Sequence, residues 1–383
     1  MNKKHLLLLS VISILALSSC KKIQMPGSAD ISVTRPSDGF IIHTDAQLAL
    51  INSSDPNALV NSDIRYGRVS LSKPNGLHLS WGETNDINQE ADKYEILFSE
   101  DEAFSNPVVY TTENKEIDVY NLKINTKYYY RVDSIHHTSR FSSSSYEYTV
   151  TDVAPRNIYI DGVENVRDLG GWTLANNKTY KQGLIYRTAQ FNYGGGLNTY
   201  KSAPTEVGVN SLLNELKIKT EIDLRKTKAF NGEDEVNSIT SSPLGESVNY
   251  VSCPMIYANT NIFTNAANKA SIQAFFITLS DINNYPVAFH CLRGTDRTGA
   301  LAYMLGALVG MSQKDLELDY LFSDMANINS PVTLATISGD DFYIKGINDS
   351  EGDSLSEKAK NYLMSTCEVS EATINTVISI LSA

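Results

Sequence analysis

Positive charge is scarce in this sequence, where 32 lysines and arginines stand against 44 aspartates and glutamates, for a formal net charge of −12. Without a basic excess to neutralise phosphates, nonspecific nucleic-acid binding is disfavoured, and we expect no nucleic-acid partner. Hydrophobic residues make up 42% of the chain, which is too apolar for a disordered protein. The 383 residues therefore predict a globular protein of two or three domains.

Histidine and cysteine are also few, with six and four copies. Only His290 lies in the chain after residue 152. A cysteine protease or a serine triad needs a separate histidine base, so both classes are disfavoured. The same scarcity argues against a zinc site. We therefore expect no metal ion and no other cofactor.

Long hydrophobic runs are missing except near the N-terminus. The apolar run at residues 6–17 follows two lysines and is too short to span a bilayer comfortably. It ends in LSSC at residues 17–20, which resembles the bacterial lipobox, with an ordinary secretory signal as the alternative. We expect a lipoprotein signal peptide at 1–20, lipidation of Cys20 and a tether at 21–30. The protein would then be exported and anchored by lipid to the membrane of the bacterial cell envelope, at the outer membrane on its periplasmic or surface face.

Residues 31–152 contain the short alternating runs of an all-β domain, such as LHLSW at 77–81. The stretch NLKINTKYYYRV contains Leu122, Thr126, Tyr128 and Val132. Together with Trp81, this stretch resembles the tyrosine-corner region of a fibronectin type III domain. The resemblance implies a β-sandwich at 31–152. Because this region carries no catalytic constellation, we expect it to act as a spacer or in protein contact.

After residue 152, predicted strands alternate with predicted helices. Buried strands are indicated at 218–225 and 286–289, and helices at 206–216, 272–279 and 298–311. This order predicts an α/β domain at 153–383, with a central, mostly parallel sheet flanked by helices.

The sequence HCLRGTDRTG at residues 290–299 lies between a predicted strand and a predicted helix. Such a turn directs backbone N–H groups inward and adds the positive end of a helix dipole, which suits a phosphate dianion. The same field favours a thiolate, so we expect Cys291 to be a nucleophile. Arg297 can grip two phosphate oxygens with its planar guanidinium. The rest of the phosphate cradle would be Leu292, Arg293, Gly294, Thr295 and Asp296.

Two residues beside the cradle have predicted supporting roles. We expect His290 to lie behind the loop and to fix it by hydrogen bonds. The hydroxyl of Thr298 can donate a hydrogen bond to the thiolate when it leaves.

Four segments together resemble the protein tyrosine phosphatase superfamily, in particular its bacterial branch of atypical tyrosine and lipid phosphatases. They are ENVRDLGG at 164–171, LIYRTAQ at 184–190, IDLR at 222–225 and the loop at 290–299. The resemblance implies a phosphatase that forms a phosphocysteine intermediate, with a phosphorylated protein or small phosphoester as substrate. A protein-tyrosine or dual-specificity activity is expected. The alternatives are a phosphoinositide or inositol phosphate phosphatase, and an inactive surface lipoprotein that binds phosphorylated ligands.

The resemblance leaves the general acid and the substrate open. Asp296 is the first candidate for the acid, with Asp223 and Asp168 behind it, although Asp296 could instead be an ion-pair partner of Arg297. Thr295 stands where the branch commonly has a lysine, which weakens the phosphoinositide alternative, although Arg293 could partly substitute. Arg167 and Arg187 are candidates for the site or its surroundings, with surface salt bridges as the alternative. Pocket depth is expected to depend on the insertion at 226–247.

Overall fold

A computed structural model describes residues 28–36, 39–60, 70–85, 90–192, 202–226, 239–256, 262–328, 332–338 and 343–383. The predicted signal peptide with Cys20, most of the tether and the centre of the 226–247 insertion lie outside these described residues. Within them, no helix is long and apolar enough to cross a membrane.

The N-terminal domain contains two antiparallel sheets. The first has three strands, in the order β1 (Ala29–Thr34), β2 (Leu77–Asn85) and β5 (Glu116–Val119). The second has the order β4 (Val108–Thr112), β3 (Lys93–Ser99), β6 (Thr126–His136) and β7 (Ser139–Ser142), and β8 (Tyr146–Val150) also pairs with β6. Two helices, α1 (Asp45–Ile51) and α2 (Pro56–Val60), lie between β1 and β2 in the chain.

Side-chain alternation explains these strands. In β2, Leu77, Leu79 and Trp81 are buried, whereas His78 between them is exposed. The Tyr128 hydroxyl accepts a hydrogen bond from the Lys123 N–H at 2.8 Å, which is the contact that defines a tyrosine corner. The region is rich in β-strands, as predicted, but it also contains the two helices α1 and α2, so it is not all-β. The fibronectin type III assignment stays a prediction.

The C-terminal domain is built on a six-stranded sheet. Its order is β13 (Asn249–Ser252), β12 (Thr220–Asp223), β14 (Val287–His290), β11 (Ile185–Thr188), β10 (Arg167–Asp168) and β9 (Arg156–Asn157). The first four strands are parallel, and the last two add antiparallel pairings at one edge. The α/β prediction is confirmed for the domain, but antiparallel pairings outnumber parallel ones over the described strands of the whole chain because the N-terminal sheets are wholly antiparallel.

Helices complete the C-terminal domain. They are α3 (Glu206–Asn210), α4 (Lys269–Leu279), α5 (Asp296–Val309), α6 (Gln313–Leu321), α7 (Leu334–Ser338), α8 (Lys345–Asn348), α9 (Leu355–Ser365) and α10 (Glu371–Leu381). A π-helical turn, Ser211–Glu215, continues α3, and a 3-10 turn, Phe322–Met325, follows α6. Nearly every side chain of α5 is buried, and the helix ends at Gly310, whose φ of +95° suits glycine. The strand β14 and helix α5 therefore hold the predicted loop between two buried elements.

The two domains meet through buried polar contacts. Arg156, in β9 of the six-stranded sheet, donates to the Leu122 carbonyl at 3.0 Å. Asn121 exchanges two hydrogen bonds with the backbone of Tyr159, at 3.0 and 2.8 Å. The N-terminal domain therefore packs directly on the C-terminal domain of its own chain.

Candidate active site

The loop at 290–297 begins where β14 ends, at the centre of the parallel sheet. Cys291 follows the strand and is 1% exposed. Gly294 has a φ of +71°, and a Cβ there would lie 2.5 Å from the Thr188 carbonyl oxygen. A side chain at this position would be strained and would collide with β11, so the tight bend depends on glycine.

Four successive carbonyls of this loop accept hydrogen bonds from the elements behind it. The Cys291 carbonyl lies 3.1 Å from His290 Nδ1, and the Leu292 carbonyl accepts from the Gln190 N–H at 3.1 Å. The next two donors are side chains: Asn165 Nδ2 donates to the Arg293 carbonyl at 2.9 Å and Arg187 Nη2 to the Gly294 carbonyl at 2.7 Å. In a trans peptide, C=O and the following N–H point in opposite directions. The N–H groups of residues 292–295 therefore face the other side, as in an anion-binding nest.

Arg297 lies in the first turn of α5 and is only 2% exposed. Its Nη1 lies 3.4 Å from the Leu224 carbonyl oxygen and 3.3 Å from the Met255 carbonyl oxygen, near the carboxyl ends of β12 and β13. The guanidinium is thus held at the same sheet edge as Cys291. This position brings together the two residues that the sequence predicts to be essential.

Two threonine hydroxyls at or beside the loop are buried and, among the described residues, unpaired. They are the Oγ1 atoms of Thr295 and Thr298. Buried polar groups are normally paired, so these hydroxyls can serve a bound oxyanion or a thiolate. The predicted bond from Thr298 to the thiolate stays a prediction.

Asp296 opens α5 and is half-buried. Its Oδ1 accepts a hydrogen bond from the Tyr343 hydroxyl at 2.7 Å. Burial and the Asp296 carboxylate raise the pKa of Tyr343, so the phenol stays a donor. The Asp296 carboxylate is therefore held by a residue from a second segment, the turn just before α8.

The other two acid candidates are engaged elsewhere. Asp168 is buried and bound to Arg156, and it accepts from the backbone N–H groups of Gly170 at 2.8 Å and Gly183 at 2.6 Å. The prediction that Asp168 is an acid candidate is wrong, because its carboxylate is committed to this structural cluster.

Asp223 lies closer to the loop but is poorly suited to donate a proton. Both of its oxygens accept from Arg225, at 2.9 and 2.7 Å. Although burial opposes it, His290 and Arg225 hold the pKa of the Asp223 carboxyl below its ordinary value. Because this shift favours the ionised form, Asp223 is a weaker candidate than Asp296.

Arg167 and Arg187 are buried, which excludes the surface salt-bridge alternative. They face each other across β10 and β11 and share one carboxylate, Asp319, at 3.0 and 2.6 Å. Although burial opposes it, the two arginines lower the pKa of Asp319, and burial lowers that of Arg167 to about 10. Each arginine also donates to the Ser323 hydroxyl. Through its hydrogen bond to the Gly294 carbonyl, Arg187 links this cluster to the loop.

Sequence reasoning missed three of these supports: Asn165, Asp319 and Ser323. Asn165 lies within the segment that the family resemblance quoted, and its φ of +57° marks a special backbone position. Asp319 and Ser323 lie more than a hundred residues away in a helical region without a motif.

One cluster of the described residues has the geometry of a metal site: Glu221, Asp223 and His290. Its donors already contact protein groups. His290 Nε2 lies 2.9 Å from Glu221 Oε1, and the Arg225 guanidinium takes the Asp223 oxygens. We therefore interpret the cluster as a support that holds His290 behind the loop, as the sequence predicts for His290.

Comparison with known proteins agrees with this geometry. A family model described as "Tyrosine phosphatase family" matches residues 158–382, which is more than half of the chain. The chain belongs to the tyrosine phosphatase family. It is a phosphatase enzyme.

Individual relatives are distant. A Cupriavidus necator protein that bears the name of a tyrosine-protein phosphatase is 24% identical over 204 residues, which cover 47% of this chain and 67% of that protein. The structure of P. aeruginosa TpbA with pTyr is 20% identical, with a TM-score of 0.25, over 39% of this chain and 74% of TpbA. The catalytic core of the S. cerevisiae PP-IP phosphatase SIW14 is 17% identical, with a TM-score of 0.27, over 45% of this chain and 78% of SIW14. These TM-scores are too low to support an inference, so the assignment depends on the family model.

Proposed function

We propose that the enzyme hydrolyses phosphomonoesters through a phosphocysteine intermediate on Cys291. The Cys291 thiolate attacks phosphorus, the bond from phosphorus to the ester oxygen breaks, and Asp296 gives that oxygen a proton. Water then attacks phosphorus and gives a proton to the Asp296 carboxylate, the sulfur–phosphorus bond breaks to return the Cys291 thiolate, and inorganic phosphate leaves. The observation that carries this proposal is the set of four loop carbonyls held outward, which turns the opposing N–H groups toward an oxyanion.

Two further residues, Arg297 and Thr298, have roles in this scheme. Arg297 binds two phosphate oxygens and stabilises the charge that shifts during transfer. Thr298 donates to the thiolate when it leaves. Phosphate release from a chromogenic aryl phosphate by the full chain tests the proposal, with the Cys291→Ser variant as its control.

Replacing Asp296 by asparagine tests the general acid. An ester with a poor leaving group needs the proton, so its turnover should fall by about a hundredfold or more, whereas an aryl ester with a good leaving group should lose little. Turnover numbers for a matched pair of alkyl and aryl phosphates provide the measurement. Equal losses for the two esters would remove Asp296 from this role and shift attention to Asp223.

A phosphorylated protein, with phosphotyrosine first, is the proposed substrate class. Thr295 leaves the cradle without the lysine common in the branch, which favours a substrate with one phosphate. The alternative is an inositol phosphate or phosphoinositide, and Arg293 is the residue that favours it, because it adds a second cation to the loop. Comparing kcat/KM for phosphotyrosine and phosphoserine peptides with that for inositol phosphates separates these classes. A purely binding role is disfavoured because a binder does not need the thiol of Cys291.

We also propose that the protein is a lipoprotein of the bacterial cell envelope, anchored through Cys20. Metabolic labelling with a fatty-acid analogue should tag the wild-type protein and the Cys367→Ala control, but not Cys20→Ala, because the thiol at residue 20 is the acylation site. Labelling that persists in Cys20→Ala would contradict the anchor.

A further inference from the structure

The N-terminal domain contacts the residue next to Asn165, which supports the phosphate loop. The Ser70 hydroxyl donates to Glu164 Oε2 at 2.8 Å, and the Ser72 hydroxyl lies 3.5 Å from the same atom. The two serine hydroxyls are themselves 2.9 Å apart. A half-buried carboxylate of the C-terminal domain is therefore held by two side chains from the other domain.

The same N-terminal segment has a second attachment to the C-terminal domain. The Leu71 N–H donates to the Met325 carbonyl at 2.6 Å. The segment is itself held by the fully buried Gln47 of α1, whose Nε2 donates to the carbonyls of Leu71 at 2.7 Å and Lys73 at 3.2 Å. Because α1 holds this segment through Gln47, the segment moves with the N-terminal domain and links it to the C-terminal domain.

Both attachment points lead to carbonyls of the phosphate loop. Glu164 precedes Asn165, which donates to the Arg293 carbonyl, and the Glu164 carbonyl accepts from the Ala189 N–H at 3.0 Å. Met325 ends the turn that contains Ser323, which accepts from Arg187, the donor to the Gly294 carbonyl.

We propose that Ser70 and Ser72 are positioning residues of the active site, through which the N-terminal domain holds the phosphate loop in its oxyanion-binding shape. The proposal rests on the proposed function, because it assumes that the loop at 291–297 binds the phosphoryl group. Without the two hydroxyls, the Glu164 carboxylate loses its shorter contact and keeps the Asn327 N–H at 3.3 Å, so the turn that carries Asn165 is held less firmly and can shift. The loop carbonyls then lose a fixed donor, and the opposing N–H groups converge less well on an anion.

Tungstate binding to the full-length chain tests this role apart from turnover. In a Cys291→Ser background, calorimetry should give a Kd for tungstate that rises about three- to thirtyfold on adding Ser70→Ala with Ser72→Ala, the range for coupling through a contact network. Ser70→Thr, made in the same Cys291→Ser background, keeps a hydroxyl and should bind tungstate as tightly as that parent. Ser105→Ala is the matched control, since Ser105 also donates to a carboxylate, Asp101, but within the N-terminal domain. Its Kd should be unchanged.

The outcomes separate the inference from the proposed function. A Kd describes the folded molecules, so a lower melting temperature alone does not change it. If the double alanine variant binds tungstate as tightly as its Cys291→Ser parent, the inference is wrong, whatever its stability. If the parent itself binds no tungstate, the proposed function fails, and the inference fails with it.

Discussion

Replacing Cys291 by serine should lower the turnover of aryl phosphates by about a thousandfold or more, as expected when a nucleophile is removed from a preorganised site. A serine hydroxyl is hardly ionised at neutral pH and is a much weaker nucleophile than a cysteine sulfur. The loop carbonyls and their donors do not involve the sulfur, so the cradle should persist. Binding of tungstate should therefore largely survive. Steady-state kinetics and calorimetry on one preparation check both halves of this expectation.

Arg297→Ala provides the contrast, because it should weaken oxyanion binding as well as turnover. The buried guanidinium lies at the sheet edge beside the loop, and its charge-assisted hydrogen bonds act on bound phosphate and on the transition state alike. Tungstate affinity should fall by about tenfold or more, the value of one hydrogen bond to a charged group. Turnover that survives in Cys291→Ser would overturn the whole mechanism, whereas intact tungstate binding in Arg297→Ala would only remove the arginine from it.

The loop could be predicted from sequence because its chemistry is local. A buried strand, a glycine where the backbone must bend and a helix start lie within ten residues, and His290 is adjacent to the loop that it supports. Asp168 shows the limit of this reasoning. A carboxylate within a family segment was a reasonable acid candidate, but only the fold shows that Arg156 and two backbone N–H groups occupy it.

The supports of the loop could not be predicted because they are distant in sequence. Asp319 lies 152 residues after Arg167, in helix α6, where no sequence motif marks this carboxylate as the partner of two buried arginines. The contact from Ser70 to Glu164 crosses 94 residues and a domain boundary. In the sequence, two serines that contact a distant carboxylate look the same as two serines exposed to solvent. Only the tertiary structure shows that these two contact Glu164.

Replacing Asp319 by asparagine should destabilise the folded protein strongly. Arg167 and Arg187 are directly opposed across two strands, where like charges destabilise a sheet unless a counter-ion lies between them. Asp319 is that counter-ion for both, and it is itself buried. Removing its charge leaves buried guanidinium charge uncompensated, which costs about 3–5 kcal/mol in comparable buried pairs. The midpoint of chemical denaturation should fall accordingly.

The effect of Asp319→Asn should also depend on pH in a defined direction. The pKa of Asp319 is lowered in the folded protein, so its contribution is complete above the unfolded value of about 3.9 and is lost as the pH falls through the folded pKa. The difference in unfolding free energy between wild type and variant should therefore be constant near neutrality and shrink below about pH 4. Glu317→Gln removes a partly exposed carboxylate from the same helix and should change stability little. A stability difference as small as that of Glu317→Gln would show that the two arginines do not need Asp319. The Gly294 carbonyl would then keep its donor, Arg187, without this carboxylate.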